Sequence, residues 1–151
     1  MLKYSTLILS LFFSATLATT TPLSTPKIQQ KEVDLGVFQN LEVLRLAQAE
    51  LSRNLPRKID PYTTLISVTT KDETLIYTYE INTGSKSDEA VQKEDHTRMK
   101  DAVTLGTCRS SQRFLKSGIS LSYFYKSAKT KAKLFQFDVS KKDCPNLTTQ
   151  P

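Results

Sequence analysis

Two stretches of the chain alternate apolar or aromatic residues with polar ones at a period of two, a pattern that suits half-buried strands and little else. The first, TTLISVTTKDETLIYTYEI at 63–81, is interrupted by Lys71-Asp72-Glu73; the second, ISLSYFYKSAKTKAKLFQFDV at 119–139, by the lysine-rich KSAKTK. Each reads as a β-hairpin. In the first, Leu75, Tyr77, Tyr79 and Ile81 share one face, which is expected to lie under a helix. In the second, Ile119, Leu121, Tyr123 and Tyr125 alternate with serines and Phe124, and Phe135, Phe137 and Val139 alternate along the partner strand.

Helical periodicity fills the space before each hairpin. Val33, Val37, Leu41, Leu44 and Leu51 recur at spacings of three, four or seven and predict an amphipathic helix from about Glu32 to Asn54, with Pro56 and Pro61 bracketing its exit. After a polar loop beginning at Thr83, helix resumes near Ser87 or Asp88 and carries Val91, Met99, Ala102, Val103 and Leu105. Gly106 is expected to break it. A shorter helix then holds Cys108, Arg109, Arg113, Phe114 and Leu115, and Gly118 ends it as a left-handed cap. The order helix, hairpin, helix, hairpin predicts an α+β domain: a four-stranded antiparallel sheet with the helices packed on one face.

The N-terminus has the composition of an export leader: Lys3, an apolar run from Leu7 to Phe13, and the small-x-small triplet Thr16-Leu17-Ala18. The expected division is a signal peptide at 1–18, a Thr/Pro/Ser-rich flexible lead-in at 19–30, one domain at 31–145 and a disordered tail at 146–151. The apolar run is too short to span a bilayer, so no transmembrane segment is expected after cleavage. The formal charge of +6 falls by one when Lys3 leaves with the leader. That balance favours acidic partners without implying specific nucleic-acid binding. In an oxidising compartment the two cysteines, Cys108 and Cys144, are expected to pair, a staple rather than a nucleophile.

A search for catalytic chemistry yields little. His96, the sole histidine, sits in KEDHTRMK without a second ligand, and no GxSxG, HExxH or phosphate-cradling glycine loop occurs. No catalytic residue, metal or cofactor is expected. The candidate binding surface is the aromatic alternation of the hairpins with the basic tip beside it: Tyr77, Tyr79, Tyr123, Phe124, Tyr125, Lys126, Lys129, Lys131 and Lys133. One alternate set of these rings is expected to pack under the helices, leaving a minority exposed.

The segments LPRKIDPYTTL and LIYTYEI, Cys108 with Arg113, GISLSYFY and the closing Cys144 resemble small periplasmic or secreted proteins of Gram-negative bacteria. The resemblance implies location and an α+β architecture, transfers no catalytic residue, and is compatible with a type II export route. The functional expectation is an exported, periplasmic or secreted, non-enzymatic binding or accessory protein that engages another protein or an acidic envelope polymer. The alternatives are a secreted effector enzyme with a non-standard site built from Asp60, His96 or Arg113, and an inhibitor or immunity-like protein. Intact-mass analysis of exported protein under non-reducing conditions tests the leader and the staple together. It should give a chain starting at Thr19 and lighter by two hydrogens than the dithiol; a chain retaining Met1 to Ala18, or two free thiols, contradicts the assignment.

Overall fold

The structure, a computed structural model, describes residues 35–147. The expected leader and lead-in, and residues 148–151 of the expected tail, lie outside the described residues. Helix α1 spans Leu35–Ser52, and a two-residue strand β1, Arg57–Lys58, follows it. Strands β2 (Thr63–Lys71) and β3 (Thr74–Ile81) form the first hairpin. Helices α2 (Asp88–Gln92), α3 (Thr97–Ser110) and α4 (Gln112–Lys116) lead to the second, β4 (Ser120–Ser127) and β5 (Lys133–Val139).

The five strands form one sheet in the order β1-β2-β3-β4-β5, so the expected four-stranded antiparallel sheet is corrected on two counts. Strand β1 was not foreseen, because two exposed residues carry no periodicity. The two hairpins meet in parallel: β3 pairs with β4 from Thr74 opposite Ser120 to Ile81 opposite Ser127. The helical connection returns the chain to the end at which β3 began, where the Ser120 N–H donates to the Glu73 carbonyl at 2.9 Å. A single pass of helix over a sheet delivers the next strand in the same direction as the last. The remaining pairs are antiparallel, with bulges between Leu65 and Ser67 and between Tyr125 and Lys126.

The core lies on the helix side of the sheet. Leu44 of α1 packs with Leu65, Val68, Leu75 and Ile119; Leu115 of α4 packs with Leu121, Val139, Cys144 and Leu147. Tyr77 and Phe114 touch both clusters and join them. Leu41, expected on the buried face of α1, is 45% exposed. The strip of α1 that reaches the sheet is narrow and runs through Asn40 and Leu44, its two buried residues. The Asn40 side-chain amide donates to Glu73 Oε1 at 2.6 Å and to the Ser117 carbonyl at 2.8 Å, tying α1 to the first hairpin turn and to the end of α4. A buried amide satisfied on both sides fixes the position of the helix.

Helix α3 runs through Gly106 without a break and ends at Ser110, so Cys108 lies in α3 and not in the shorter helix assigned to it. Gly118 has φ +95° after α4, the left-handed conformation expected of it. Cys108 and Cys144 form a disulfide with Cα atoms 5.5 Å apart, joining α3 to the segment beyond β5. A capping box between Ser140 and Asp143 shapes that segment, and Leu147 beyond it is buried. Replacing both cysteines with alanine should lower stability by about 3–4 kcal/mol, from the chain entropy released when a loop of this length is opened. Urea unfolding of the oxidised and substituted proteins measures the difference, and equal midpoints would show that the staple contributes nothing.

Candidate functional site

The parallel register of β3 and β4 sets like residues beside each other: Leu75 and Leu121, Tyr77 and Tyr123, Tyr79 and Tyr125. The tyrosine rings stack across the strands with centroids 5.4 and 5.0 Å apart and interplanar angles of 10° and 16°. Phe135 of β5 continues the row 4.7 Å from Tyr125, and His96 at the start of α3 lies 4.0 Å from Phe135. All these strand residues lie on the helix side. The sequence-derived surface is therefore divided by the sheet: Tyr77, Tyr79, Tyr123 and Tyr125 lie with the helices, whereas Phe124 and Lys126 alternate onto the opposite face.

Helix α3 covers only part of the tyrosine row. Between it and the chain around β1 is a groove of 540 Å³, floored by Tyr79, Tyr123 and Tyr125 and walled by Met99 and Val103 on one side and Ile59 on the other. Gly106 and Ser110 extend the α3 wall and Asp60 closes one end. Met99 also borders an adjoining hollow of 460 Å³ that holds Tyr62, Ile81, His96 and Phe135. The Thr107 hydroxyl donates to the Val103 carbonyl at 2.7 Å and so receives the Tyr123 hydroxyl proton at 2.6 Å, which pins α3 above the floor. Burial, and next the adjacent phenols, push Tyr77 and Tyr79 up to about 12; burial also raises Tyr123 and, with its neighbours, Tyr125. The floor is thus neutral: apolar rings with hydroxyl edges.

Three of the four lysines at the tip of the second hairpin have partners within the fold. Glu80 takes Lys131 at 2.8 Å and Lys126 at 3.3 Å, and the Lys131 hydrogen bond above all holds its carboxyl below the usual range. Lys133 donates to Gln136 at 2.9 Å and stands 5.4 Å from the centre of the Phe124 ring. Thr130 of the same turn is hydrogen-bonded to Asp88 of α2.

The residues weighed for catalysis do not converge. Asp60 borders the groove, His96 the adjoining hollow and Arg113 a separate depression between α3 and α4, and none of these three cavities joins two of them. Asp60 Oδ1 accepts the N–H groups of Tyr62 and Thr63, each at 2.8 Å, and the Tyr62 bond is the main cause of its lowered pKa. Among the described residues no group of three or more His, Cys, Asp and Glu side chains could hold a metal, and no helix is long and apolar enough to cross a membrane. Sequence reasoning missed Ile59, Met99, Val103 and Gly106 as groove residues. The available signal was the spacing of Met99, Val103, Gly106 and Ser110, which places them along one side of α3.

The family described as a domain of unknown function (DUF8479) matches residues 40–135, and the chain belongs to it. No curated protein matches the chain. In fold it is similar to a candidate secreted protein of Pseudomonas aeruginosa, at 18% identity and a TM-score of 0.65, over 73% of this chain and 96% of that one. It is also similar to EpsS, a pilotin of the Vibrio vulnificus type 2 secretion system, at 13% identity and 0.60, over 77% and 96%. The type II secretion pilotin AspS of Vibrio cholerae is a third, at 19% identity and 0.56, over 72% and 95%. At these identities the likeness is one of fold.

The raised tyrosines give the fold an alkaline limit with a definite sign. A phenol whose folded pKa lies above its unfolded value of about 10 keeps its proton in the folded state after the unfolded chain has lost it. Its contribution is complete below pH ~10 and is lost as pH rises through the folded value, about 12 for Tyr77 and Tyr79. Urea midpoints should therefore fall steadily from pH 10 upward, and absorbance at about 295 nm should show most phenols ionising late. Simple titration of every tyrosine near pH ~10 with unchanged stability contradicts the packing described.

Proposed function

We propose that the protein is an exported, non-enzymatic accessory protein, periplasmic or secreted, that binds a segment of another protein in the tyrosine-floored groove. The groove carries this reading: a concave, neutral surface of aromatic rings with hydroxyl edges suits a polypeptide, offering apolar area together with hydrogen bonds to its backbone. The fold shared with a candidate secreted protein and with two type II secretion pilotins supports export and an accessory role. An acidic polymer is the weaker partner, since Lys126, Lys131 and Lys133 are engaged by Glu80, Gln136 and Phe124 and only Lys129 of the tip is left to draw an anion. A cleavable leader at 1–18 accounts for the route.

Gly106 allows the groove to be filled without disturbing the fold. A Cβ built there meets nothing within 4 Å, and the residue is helical and borders the groove. Gly106→Leu should stabilise the protein by about 0.5–1 kcal/mol, as expected when glycine leaves a helix interior. It should at the same time abolish partner binding. A photo-cross-linking amino acid at Met99, in cells that export the protein, should yield one defined protein adduct that disappears in the Gly106→Leu background. An adduct unaffected by Gly106→Leu, or the same adduct from position Lys129, removes the groove from the reading.

A further inference from the structure

Helix α1 faces the sheet along one strip, and its outer side carries large apolar side chains among charged ones. Leu35, Phe38 and Leu46 are 69%, 60% and 54% exposed. Glu42 and Arg45 lie among them, paired within the helix at 2.7 Å with half or more of each side chain in solvent. Leu35, Phe38, Glu42, Arg45 and Ala49 follow the alternating three-and-four spacing of a coiled-coil seam, and Leu41 and Leu46 flank it; Ser52, next in the spacing, turns to the sheet and donates to the Val68 carbonyl at 3.4 Å.

The seam is complementary to its own reverse. In an antiparallel helix pair each seam residue faces the one equally distant from the centre on the other copy. With the centre between Val43 and Leu44, Phe38 meets Ala49 and Glu42 meets Arg45. These layers set large against small and acid against base. A parallel pair would stack Glu42 on Glu42, Arg45 on Arg45 and Phe38 on Phe38, opposing like charges. The charges of this face cancel, so it offers no attraction to anionic lipid, and self-complementarity selects a second copy of the chain as the occupant.

We propose that the protein forms a two-fold homodimer through antiparallel packing of α1 against α1 of a second copy, with the Glu42–Arg45 layers setting direction and register. The groove residues named above lie on α3, on the sheet and around β1, so the pairing involves none of them and is independent of the groove reading.

Sedimentation velocity on the oxidised, exported chain tests this over concentrations on the order of 1 to 100 μM, the range suited to a single helix-pair interface. The wild type should show a reversible dimer. Glu42→Arg and Arg45→Glu, each at an exposed site and checked by circular dichroism for an intact fold, should each weaken it about tenfold or more. The double variant Glu42→Arg/Arg45→Glu should return to within a few-fold of the wild type, because the layers are again acid against base. A wild type that stays monomeric throughout overturns the proposal, as does a dimer indifferent to the single reversals or one not restored by the double. A monomer that instead floats with phosphatidylglycerol vesicles, and stops doing so as Phe38→Glu, overturns it too by assigning the face to a lipid surface.

Discussion

The parallel pairing of β3 with β4 is the constraint from which the rest of the structure follows. Either hairpin could bury its apolar face under a helix on its own terms. The parallel junction sets Leu75 beside Leu121, Tyr77 beside Tyr123 and Tyr79 beside Tyr125, so that two separate aromatic faces become one row. It holds because the helical crossover brings Ser120 back to Glu73, and because Asn40 grips that same turn through Glu73 Oε1. One end of the molecule thus collects α1, the first hairpin turn, the end of α4 and the start of β4. The disulfide ties α3 to the segment past β5.

The middle of the helix layer is thin. Helix α1 reaches the sheet through Asn40 and Leu44, and α3 is held over β4 by the Thr107–Tyr123 hydrogen bond. Between them the tyrosine row is only partly roofed, and the glycine in α3 adds no side chain to close it. The same rings therefore serve two purposes: their flat faces join the central strands, and their hydroxyl edges form the floor of a groove. A fully apolar row would have been simpler to bury. Tyrosine suits a surface that packs through its ring and meets solvent at its hydroxyl.

The sequence made the local elements legible and left their assembly open. Alternation in 63–81 and 119–139 identified the strands, and the face carrying Leu75, Tyr77 and Tyr79 was assigned correctly, because a period of two specifies faces. It does not specify which strand lies alongside which, nor the direction of pairing between hairpins, so the parallel junction of β3 with β4 is not legible in it. Gly106 reads as a break because glycine weakens helices. Packing of Val103 and Thr107 on the sheet outweighs a propensity deficit of about 1 kcal/mol. Asn40 was invisible as an anchor, its partners lying 33 and 77 residues away. The lysine cluster drew attention as a basic tip, but Glu80, which occupies two of those lysines, is brought there by the pairing of Glu80 with Lys126 across the parallel junction.

The central claim is that the tyrosine row is both a structural seam and an open floor. Solvent paramagnetic relaxation of the aromatic and methyl protons, measured by NMR on the oxidised protein with a soluble gadolinium probe, tests it most directly. The account predicts strong relaxation of Met99 and of the hydroxyl-edge protons of Tyr79 and Tyr123, and none of the Leu121 and Val139 methyls. Tyr79 and Tyr123 protons as silent as those of Leu121 would mean that the row is roofed, and would contradict it.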